Sequence, residues 1–143
     1  MKKRILALAC IVAVCISIPF TPSAYATGST KVPVNSTTRW TNISSISLNI
    51  SFNSGTANCV GIIVGNANVK KIEATFQLLK KNTSNVFVTH YTWPKVTVNS
   101  DYLAWSGSCS VTPGTYRLQV TAIVTNTSNV SETVVTYCEK IYT

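Results

Sequence analysis

Apolar and polar residues alternate one by one in three long stretches of this sequence. The clearest are residues 46–52 (ISLNISF), 72–78 (IEATFQL) and 116–124 (YRLQVTAIV). Successive side chains of a β-strand point to opposite faces of its sheet, so this period of two is typical of strands that have one buried face. The pattern therefore predicts a protein built from antiparallel β-sheets.

Shorter apolar stretches between turn signals predict the remaining strands. They lie at residues 57–64, 86–93, 96–98, 102–105 and 132–142. Gly55, residues 65–68, Pro94 and Pro113-Gly114 mark turns between them, because glycine, proline and asparagine favour turn conformations. About seven strands with turns every 8–12 residues predict an all-β fold, a single antiparallel β-sandwich.

The composition after residue 26 supports the same fold. Residues 27–143 contain 19 Thr, 14 Ser and 12 Asn. Threonine favours strands, whereas serine and asparagine favour turns. These 117 residues suit one domain with one core. Residues 27–38 (TGSTKVPVNSTT) have no apolar period and predict a flexible N-terminal tail, which leaves the β-sandwich domain at residues 39–143.

The first 26 residues have the three parts of a signal peptide. Residues 2–4 are basic, residues 5–18 form an apolar run of 14 residues, and residues 24–26 (AYA) supply the small residues of a cleavage site. A membrane-spanning helix needs about 20 apolar residues, so the run is too short for an anchor. Cys10 and Cys15 lie inside the run, whereas a lipid-anchored cysteine follows it. We therefore predict a cleaved signal peptide at residues 1–26, a secreted, extracellular product and no transmembrane anchor in the mature chain.

The mature chain is basic. Residues 27–143 contain nine Lys and Arg and four Asp and Glu, which gives a net charge of +5. Such a chain is drawn to anionic surfaces, and for a secreted protein these include wall polymers and acidic glycans. No motif in the sequence is specific for nucleic acid. Solubility alone is the alternative explanation for the charge.

Three cysteines remain in the mature chain, at Cys59, Cys109 and Cys138. Disulfides persist outside the cell, and three thiols allow one bond with one thiol left over. In a sandwich of this topology the strands that carry Cys59 and Cys109 are antiparallel neighbours, so we predict a Cys59–Cys109 disulfide. Cys59–Cys138 is the alternative pair. Cys138 is then either a buried thiol or the link of a disulfide-bonded dimer.

The pentapeptide NTSNV occurs twice, at residues 82–86 and 126–130. Each copy lies between two predicted strands, at a hairpin position. Asparagine tolerates the left-handed backbone region, and Asn, Ser and Thr side chains bond to the backbone of their own turn. The flanking sequences share nothing else, so we interpret the repeat as one turn used twice. Duplication and glycan attachment are the alternatives.

Residues 113–118 (PGTYRL) resemble the Gly-x-Tyr turn into strand F of immunoglobulin-like and fibronectin-like sandwiches. Together with the WTNISSIS start at Trp40, the lysine-rich third strand and residues 131–133 (SET), they resemble a family of small secreted proteins of Gram-positive bacteria, which has no assigned function. The resemblance covers about residues 39–143. It implies an immunoglobulin-like fold in which the Tyr116 hydroxyl bonds back to the preceding loop. Leu118 stands where an immunoglobulin domain has a cysteine, so the resemblance implies no inter-sheet disulfide of the antibody kind and transfers no functional residue.

Residue types that carry out catalysis are scarce. His90 is the only histidine, and Glu73, Asp101, Glu132 and Glu139 are the only acids of the mature chain. No Gly-x-Ser-x-Gly motif surrounds a serine nucleophile, and the spacing of the acids indicates neither paired carboxylates nor a zinc site. We predict that the protein is not an enzyme and holds no cofactor or metal.

Aromatic and lysine side chains are the candidate ligand contacts. Five aromatic residues are candidates for a stacking platform for sugars: Trp40, Trp93, Trp105, Tyr91 and Tyr102. Trp93 precedes Pro94 at the end of a strand, so we predict that it is the exposed tryptophan and, with Tyr91, a ligand contact. The alternative is that the tryptophans fill the core. Lys80 and Lys81 end the third predicted strand, where they would attract an anionic ligand or simply keep a strand edge soluble.

These observations predict a secreted, non-catalytic binding or interaction module, with cell-wall or host glycans as the ligand class. Two alternatives from other classes are consistent with the same residues. One is a self-associating structural or surface protein, and the other is a small secreted antimicrobial effector.

Overall fold

The structure, a computed structural model, describes residues 40–143. The predicted signal peptide at residues 1–26 and the predicted tail at residues 27–38 lie outside these residues. Eight strands are present: β1 (Ile43–Asn53), β2 (Thr56–Gly65), β3 (Val69–Lys81), β4 (Phe87–Thr92), β5 (Val96–Val98), β6 (Tyr102–Ser110), β7 (Gly114–Asn126) and β8 (Ser131–Tyr142). Residues 40–143 contain no helix with the length and apolar character needed to cross a membrane.

The strands form two antiparallel sheets, which confirms the predicted β-sandwich. One sheet has the order β1-β2-β6. The other has the order β4-β3-β7-β8, and β5 pairs with β3 beside β4. Strands A, B and E against strands C, F and G is the arrangement of immunoglobulin-like sandwiches, and β1, β2 and β6 against β3, β7 and β8 reproduce it.

The core lies between the two sheets and follows the alternation of the sequence. Every second side chain of β3 and of β7 is buried, from Ile72 to Leu78 and from Tyr116 to Val124. The residues between them face outwards and are polar or charged for the most part. Each large apolar side chain that is fully buried in this way stabilises the fold by about 1.5–3 kcal/mol, so the two central strands carry much of the stability.

An aromatic cluster fills the core between β3 and β6. The Phe76 and Trp105 rings are stacked, with centroids 3.9 Å apart and planes at 5°. Trp93 packs edge-on against Trp105 with centroids 5.0 Å apart. The rings fit because two glycines lie beside them. A Cβ at Gly61 would overlap Phe76, and a Cβ at Gly107 would lie 2.6 Å from Trp93 Nε1.

A tyrosine corner closes the connection between the sheets before β7. The Tyr116 hydroxyl donates to the carbonyl of Thr112 at 2.7 Å and accepts from the Thr112 N–H at 3.2 Å. The Tyr116 ring is fully buried, so both hydrogen bonds satisfy polar groups that water does not reach. This is the contact that the resemblance of residues 113–118 implied.

The two NTSNV segments form the same turn. The Oδ1 atoms of Asn82 and Asn126 each accept two backbone N–H groups, two and four residues further on, at 2.9 Å in the first copy and 3.0 Å in the second. The fourth residues, Asn85 and Asn129, have φ of 62° and 61°, in the left-handed region that asparagine tolerates. The interpretation of the repeat as turn chemistry is confirmed.

The same substitution in the two turns should have unequal effects. Asn126→Ala and Asn82→Ala each remove one acceptor of two backbone hydrogen bonds, at about 0.5–1.5 kcal/mol per bond. Asn126 also donates from Nδ2 to Oδ1 of Asn42, which is buried. We expect urea denaturation to show that Asn126→Ala destabilises the protein by about 1 kcal/mol more than Asn82→Ala, because it leaves a buried amide oxygen unpaired. Equal losses of stability would contradict this role of Asn42.

Candidate functional site

The charged side chains of residues 40–143 are unevenly distributed. Tyr116 on β7 lies opposite Lys80 on β3 and opposite Lys140 on β8. The next residue of β7, Arg117, lies opposite Glu139 on β8. With Lys81, four cations and one carboxylate meet where β3 and β8 end and β7 begins, which gives a net charge of +3. We call this region the basic end.

The charges of the remaining part of residues 40–143 cancel. Three cations and three carboxylates occupy it: Lys70, Lys71, Lys95, Glu73, Asp101 and Glu132. Glu73 accepts from Lys71 at 2.9 Å and from Lys95 at 3.0 Å, and these hydrogen bonds, first that of Lys71, lower the pKa of its carboxyl group. Glu132 accepts the backbone N–H groups of Thr41 and Asn42. The whole net charge of the described residues therefore lies at the basic end.

A row of cations and aromatic rings runs across the outer face of the basic end. The Arg117 guanidinium lies between two rings, with Cζ 4.0 Å from the centroids of both Phe87 and Tyr137. Lys81 Nζ lies 5.9 Å from the Phe87 centroid on the other side. We call Lys81, Phe87, Arg117 and Tyr137 the cation–aromatic strip. The strip forms because these residues occupy outward positions on the adjacent strands β4, β3, β7 and β8.

Glu139 fixes the centre of the strip. Its Oε1 accepts from Arg117 Nε at 3.0 Å and from Nη2 at 2.6 Å. Each cation–π contact at an exposed site contributes about 0.5–1 kcal/mol, and an exposed ion pair contributes up to about 1 kcal/mol. Arg117 is therefore held in one position before any ligand arrives. The strip can offer flat rings to the apolar faces of sugars while the lysines beside it attract anionic groups.

Of the two lysines predicted as ligand contacts, one belongs to the strip and one lies beside it. Lys80 Nζ donates to Thr112 Oγ1 at 2.6 Å and lies 5.5 Å from the Tyr116 centroid. Lys80 is thus tied over the tyrosine corner. Lys81 and Lys140 have no ion pair within residues 40–143, so their charges are available to a ligand.

The prediction that Trp93 is exposed is wrong. Trp93 is only 8% exposed. Its backbone N–H donates to the Phe76 carbonyl at 3.0 Å and so continues the pairing of β4 with β3. This pairing turns the indole ring inwards, beneath Gly107. Tyr91 is 44% exposed and lies edge-on against Trp93. Tyr91 lies opposite the buried Leu78, so it faces away from the cation–aromatic strip and the structure does not bring it into that site.

Four residues of the basic end were not predicted as site residues from the sequence: Phe87, Arg117, Tyr137 and Glu139. A signal for one of them was present, since Arg117 alternates with the apolar residues of the most regular predicted strand. That alternation places its side chain outside the core. It does not tell which rings on other strands lie beside it.

A shallow cavity of about 480 Å³ lies away from the basic end. Its lining includes Lys70, Lys71, Asn99, Thr125 and Asn129. The cations of this cavity are already paired, because Lys70 donates to Asn129 Oδ1 and Lys71 bonds to Glu73. It is a weaker candidate for an anionic ligand than the basic end.

His90 has a structural environment. Its Nε2 bonds to the Ser110 carbonyl at 2.9 Å, and its ring packs edge-on against Tyr116. No acid of residues 40–143 is among its hydrogen-bond partners. Nor do those residues contain a group of three His, Cys, Asp or Glu side chains arranged to hold a metal ion.

All three cysteines of the described residues are thiols in the structure, and the predicted Cys59–Cys109 bond is not formed. Their strands are antiparallel neighbours, as expected, but Cys59 lies opposite Gly107 and Cys109 lies opposite Ala57. The two cysteines are therefore diagonal neighbours, and such pairs lie about 7–8 Å apart, beyond the usual Cα separation of a disulfide.

Burial changes the chemistry of these thiols. Burial, with smaller contributions from the charges of Cys109 and Cys138, raises the pKa of Cys59 from 9.0 to about 12. Burial also raises the pKa of Cys138 to about 11 and raises that of Cys109. Cys138 lies opposite the buried Leu118, and both Cys109 and Cys138 are partly buried against the core that contains Cys59.

No model of a known protein family matches this chain, and no curated protein sequence matches it. The contacts and charges of residues 40–143 are therefore the features that indicate a function. Among these, the basic end is the arrangement that calls for a functional explanation.

Proposed function

We propose that this protein is a secreted, non-catalytic binding module for an anionic glycan or cell-wall polymer, and that the basic end is its binding site. The observation that carries the proposal is the separation of charge. The net charge of +3 lies at one end of the sandwich, where aromatic rings are also exposed, while the charges elsewhere cancel. A charge serving solubility alone requires no such separation.

The strip suggests how each kind of contact is made. Lys81 lies on the outer face with the strip, whereas Lys140 lies opposite the buried Tyr116 and so belongs to the other face of the sheet. Neither has an ion pair within residues 40–143, and both would meet the carboxylate, sulfate or phosphate groups of a polymer that passes round this end of the sheet. Tyr137, 40% exposed, offers a ring for the apolar face of a sugar. Arg117 is already saturated by Glu139 and two rings, so it serves to hold the rings apart.

Paired charge removals test the proposal. Lys81→Gln with Lys140→Gln removes two charges from the basic end, and Lys70→Gln with Lys95→Gln removes two charges from the remainder as the matched control. An exposed ion pair is worth about 0.2–1 kcal/mol, so we expect the first variant to bind purified peptidoglycan or mucin about two- to thirtyfold more weakly and the control to bind nearly as the native chain does.

The salt dependence of binding separates the two kinds of contact. Debye screening shortens to about 3 Å at 1 M salt, so we expect most of the binding to be lost at that concentration. Binding that is equal at low salt and at 1 M, or that is weakened equally by both variants, would overturn the assignment of an electrostatic site to the basic end.

Export and disulfide formation are part of the same proposal. The leader at residues 1–26 supports secretion, and the intact mass of the secreted product tests cleavage after Ala26. A Cys59–Cys109 bond in the oxidised, exported protein requires β2 and β6 to shift from the diagonal register of this structure. Cys59–Cys138 and a dimer linked through Cys138 are the alternatives, and non-reducing peptide mapping distinguishes the three. The immunoglobulin-like topology is consistent with membership of the secreted Gram-positive family that the sequence resembles.

A further inference from the structure

The two sheets have four edges, and two of these carry a bulge that protects them against pairing with another strand. The pairing of the edge strand β1 with β2 is irregular between Ile43 and Ser45. The pairing of the edge strand β4 with β3 is irregular where Tyr91 and Thr89 of β4 lie opposite Leu78 and Leu79 of β3. Bulges of this kind discourage further strand pairing. On β6 the outward side chains are mainly serines, at Ser106, Ser108 and Ser110.

The fourth edge, strand β8, lacks these features. Its 12 residues pair with β7 in unbroken register, and its other side has no strand partner among the described residues. It contains neither proline nor glycine. Three large outward side chains are exposed: Val135 at 57%, Tyr137 at 40% and Ile141 at 66%. A long, regular edge with exposed apolar side chains is a template for another strand.

We infer that β8 pairs with β8 of a second copy of this chain, antiparallel and with Thr136 on the two-fold axis. In this register Val135 of each copy lies opposite Tyr137 of the other, and aromatic residues pair well with β-branched residues across strands. A two-fold axis normal to the sheet keeps outward side chains on one face, so the exposed side chains of both copies form one continuous surface.

The charges of β8 select this register. Glu139 is paired with Arg117, so Lys140 and Glu132 are the two β8 charges that lack an ion pair within residues 40–143. The Glu132 carboxylate also accepts the backbone N–H groups of Thr41 and Asn42. Centring the pair on Thr136 places Lys140 of each copy opposite Glu132 of the other. Of the other registers that keep the faces matched, one places Lys140 opposite Lys140 of the second copy, where like charges repel, and the rest place it opposite an uncharged residue. The self-complementary pattern indicates a second copy as the occupant of this edge.

The oligomeric state of the secreted chain tests the inference. We expect light scattering after size-exclusion chromatography to give twice the mass of one chain, and Val135→Lys to give the mass of one chain, because it places two like charges beside the axis. Val60→Lys is the matched control, since Val60 is 41% exposed on the central strand β2, and it should remain dimeric. A native chain with the mass of one copy at all concentrations, or a folded Val135→Lys variant that stays dimeric, would overturn the inference.

Cross-linking tests the register, including in the case where Val135→Lys fails to fold. Val135→Cys and Tyr137→Cys chains should form a disulfide with each other when mixed, because these positions lie opposite one another, and peptide mapping would identify the bond. Val135→Cys alone should cross-link far less, since its two positions are diagonal. Equal yields in both experiments would contradict the register. The inference does not rest on polymer binding, and monomeric Val135→Lys still allows that binding to be measured.

Discussion

Phe76→Ala is expected to lower the free energy of unfolding by about 3–5 kcal/mol, the range for removal of a large buried aromatic side chain. Phe76 is fully buried, and its ring is stacked on Trp105 at 3.9 Å. Removing the ring leaves a cavity at the centre of the aromatic cluster, and both sheets line it. Urea denaturation followed by tryptophan fluorescence measures the loss. Val88→Ala, an exposed position on the neighbouring strand β4, is the control and should change stability by no more than about 0.5 kcal/mol.

A double-mutant cycle with Gly61 tests the reason for this loss. A Cβ at Gly61 would overlap Phe76 Cε1 and lie 2.9 Å from Cζ, so Gly61→Ala alone should cost about 1–3 kcal/mol by overpacking. In the Phe76→Ala chain the added methyl group enters the cavity, and the cost should disappear. Losses that simply add would show that the two residues do not compete for the same space.

The strands that were predicted best from the sequence are those with one face buried in the core and the other face exposed and polar. Strands β3 and β7 lie inside their sheet with one face in the core, so their alternation is complete and both were predicted. The predicted strand at residues 102–105 extends in the structure to Ser110 as β6, because its inward positions beyond Trp105 are Gly107 and Cys109, which leave only a weak apolar period. The NTSNV turns were predicted because their hydrogen bonds are local.

The candidate site was harder to predict, since it depends on which strands are neighbours. Lys81 and Phe87 share one hairpin, but Arg117 and Tyr137 enter from β7 and β8. A period of two tells that Arg117 points outwards and says nothing of the rings on either side of it. The prediction that Trp93 is exposed was wrong for a related reason. Pro94 marks the end of β4 correctly, but the hydrogen bond from the Trp93 backbone N–H to the Phe76 carbonyl decides which way the indole points.

The two-fold pairing inferred for β8 would change what the basic end can do. Lys140 would then face Glu132 of the second copy, which leaves Lys81 as the lysine of the site without an ion pair. Antiparallel pairing sends the β8 ends of the two copies in opposite directions, so each dimer would carry two basic ends that face away from each other. Two sites on one particle bind a repeating polymer more strongly than either site alone, provided that the polymer spans them. A comparison of polymer binding by Val60→Lys and Val135→Lys would therefore show whether dimerisation contributes avidity.

The thiol of Cys59 should be the slowest of the three to react in the reduced protein. Its pKa is raised from 9.0 to about 12, chiefly by burial, and one pKa unit is a tenfold change in the thiolate fraction well below the pKa. Because the thiolate is the reactive form, we expect alkylation at pH 8 to be about a thousandfold slower at Cys59 than at an unburied cysteine. Pulsed alkylation with mass spectrometry measures all three rates, and Cys109, half-buried on the edge strand β6, should react first. Equal rates at Cys59 and Cys109 would contradict the burial of Cys59.

The same pKa shift predicts how stability changes in alkaline solution. The folded-state pKa of Cys59 lies above the unfolded value of 9.0, so the contribution of its neutral thiol to stability is fully present below pH 9. Above pH 9 the unfolded chain loses this proton while the folded chain keeps it, and stability should fall steadily as the pH rises from 9 towards about 12. Cys59→Ala removes the titrating group, so its stability should fall less over this interval than that of the native chain. An identical alkaline decline in both chains would assign the effect to other groups.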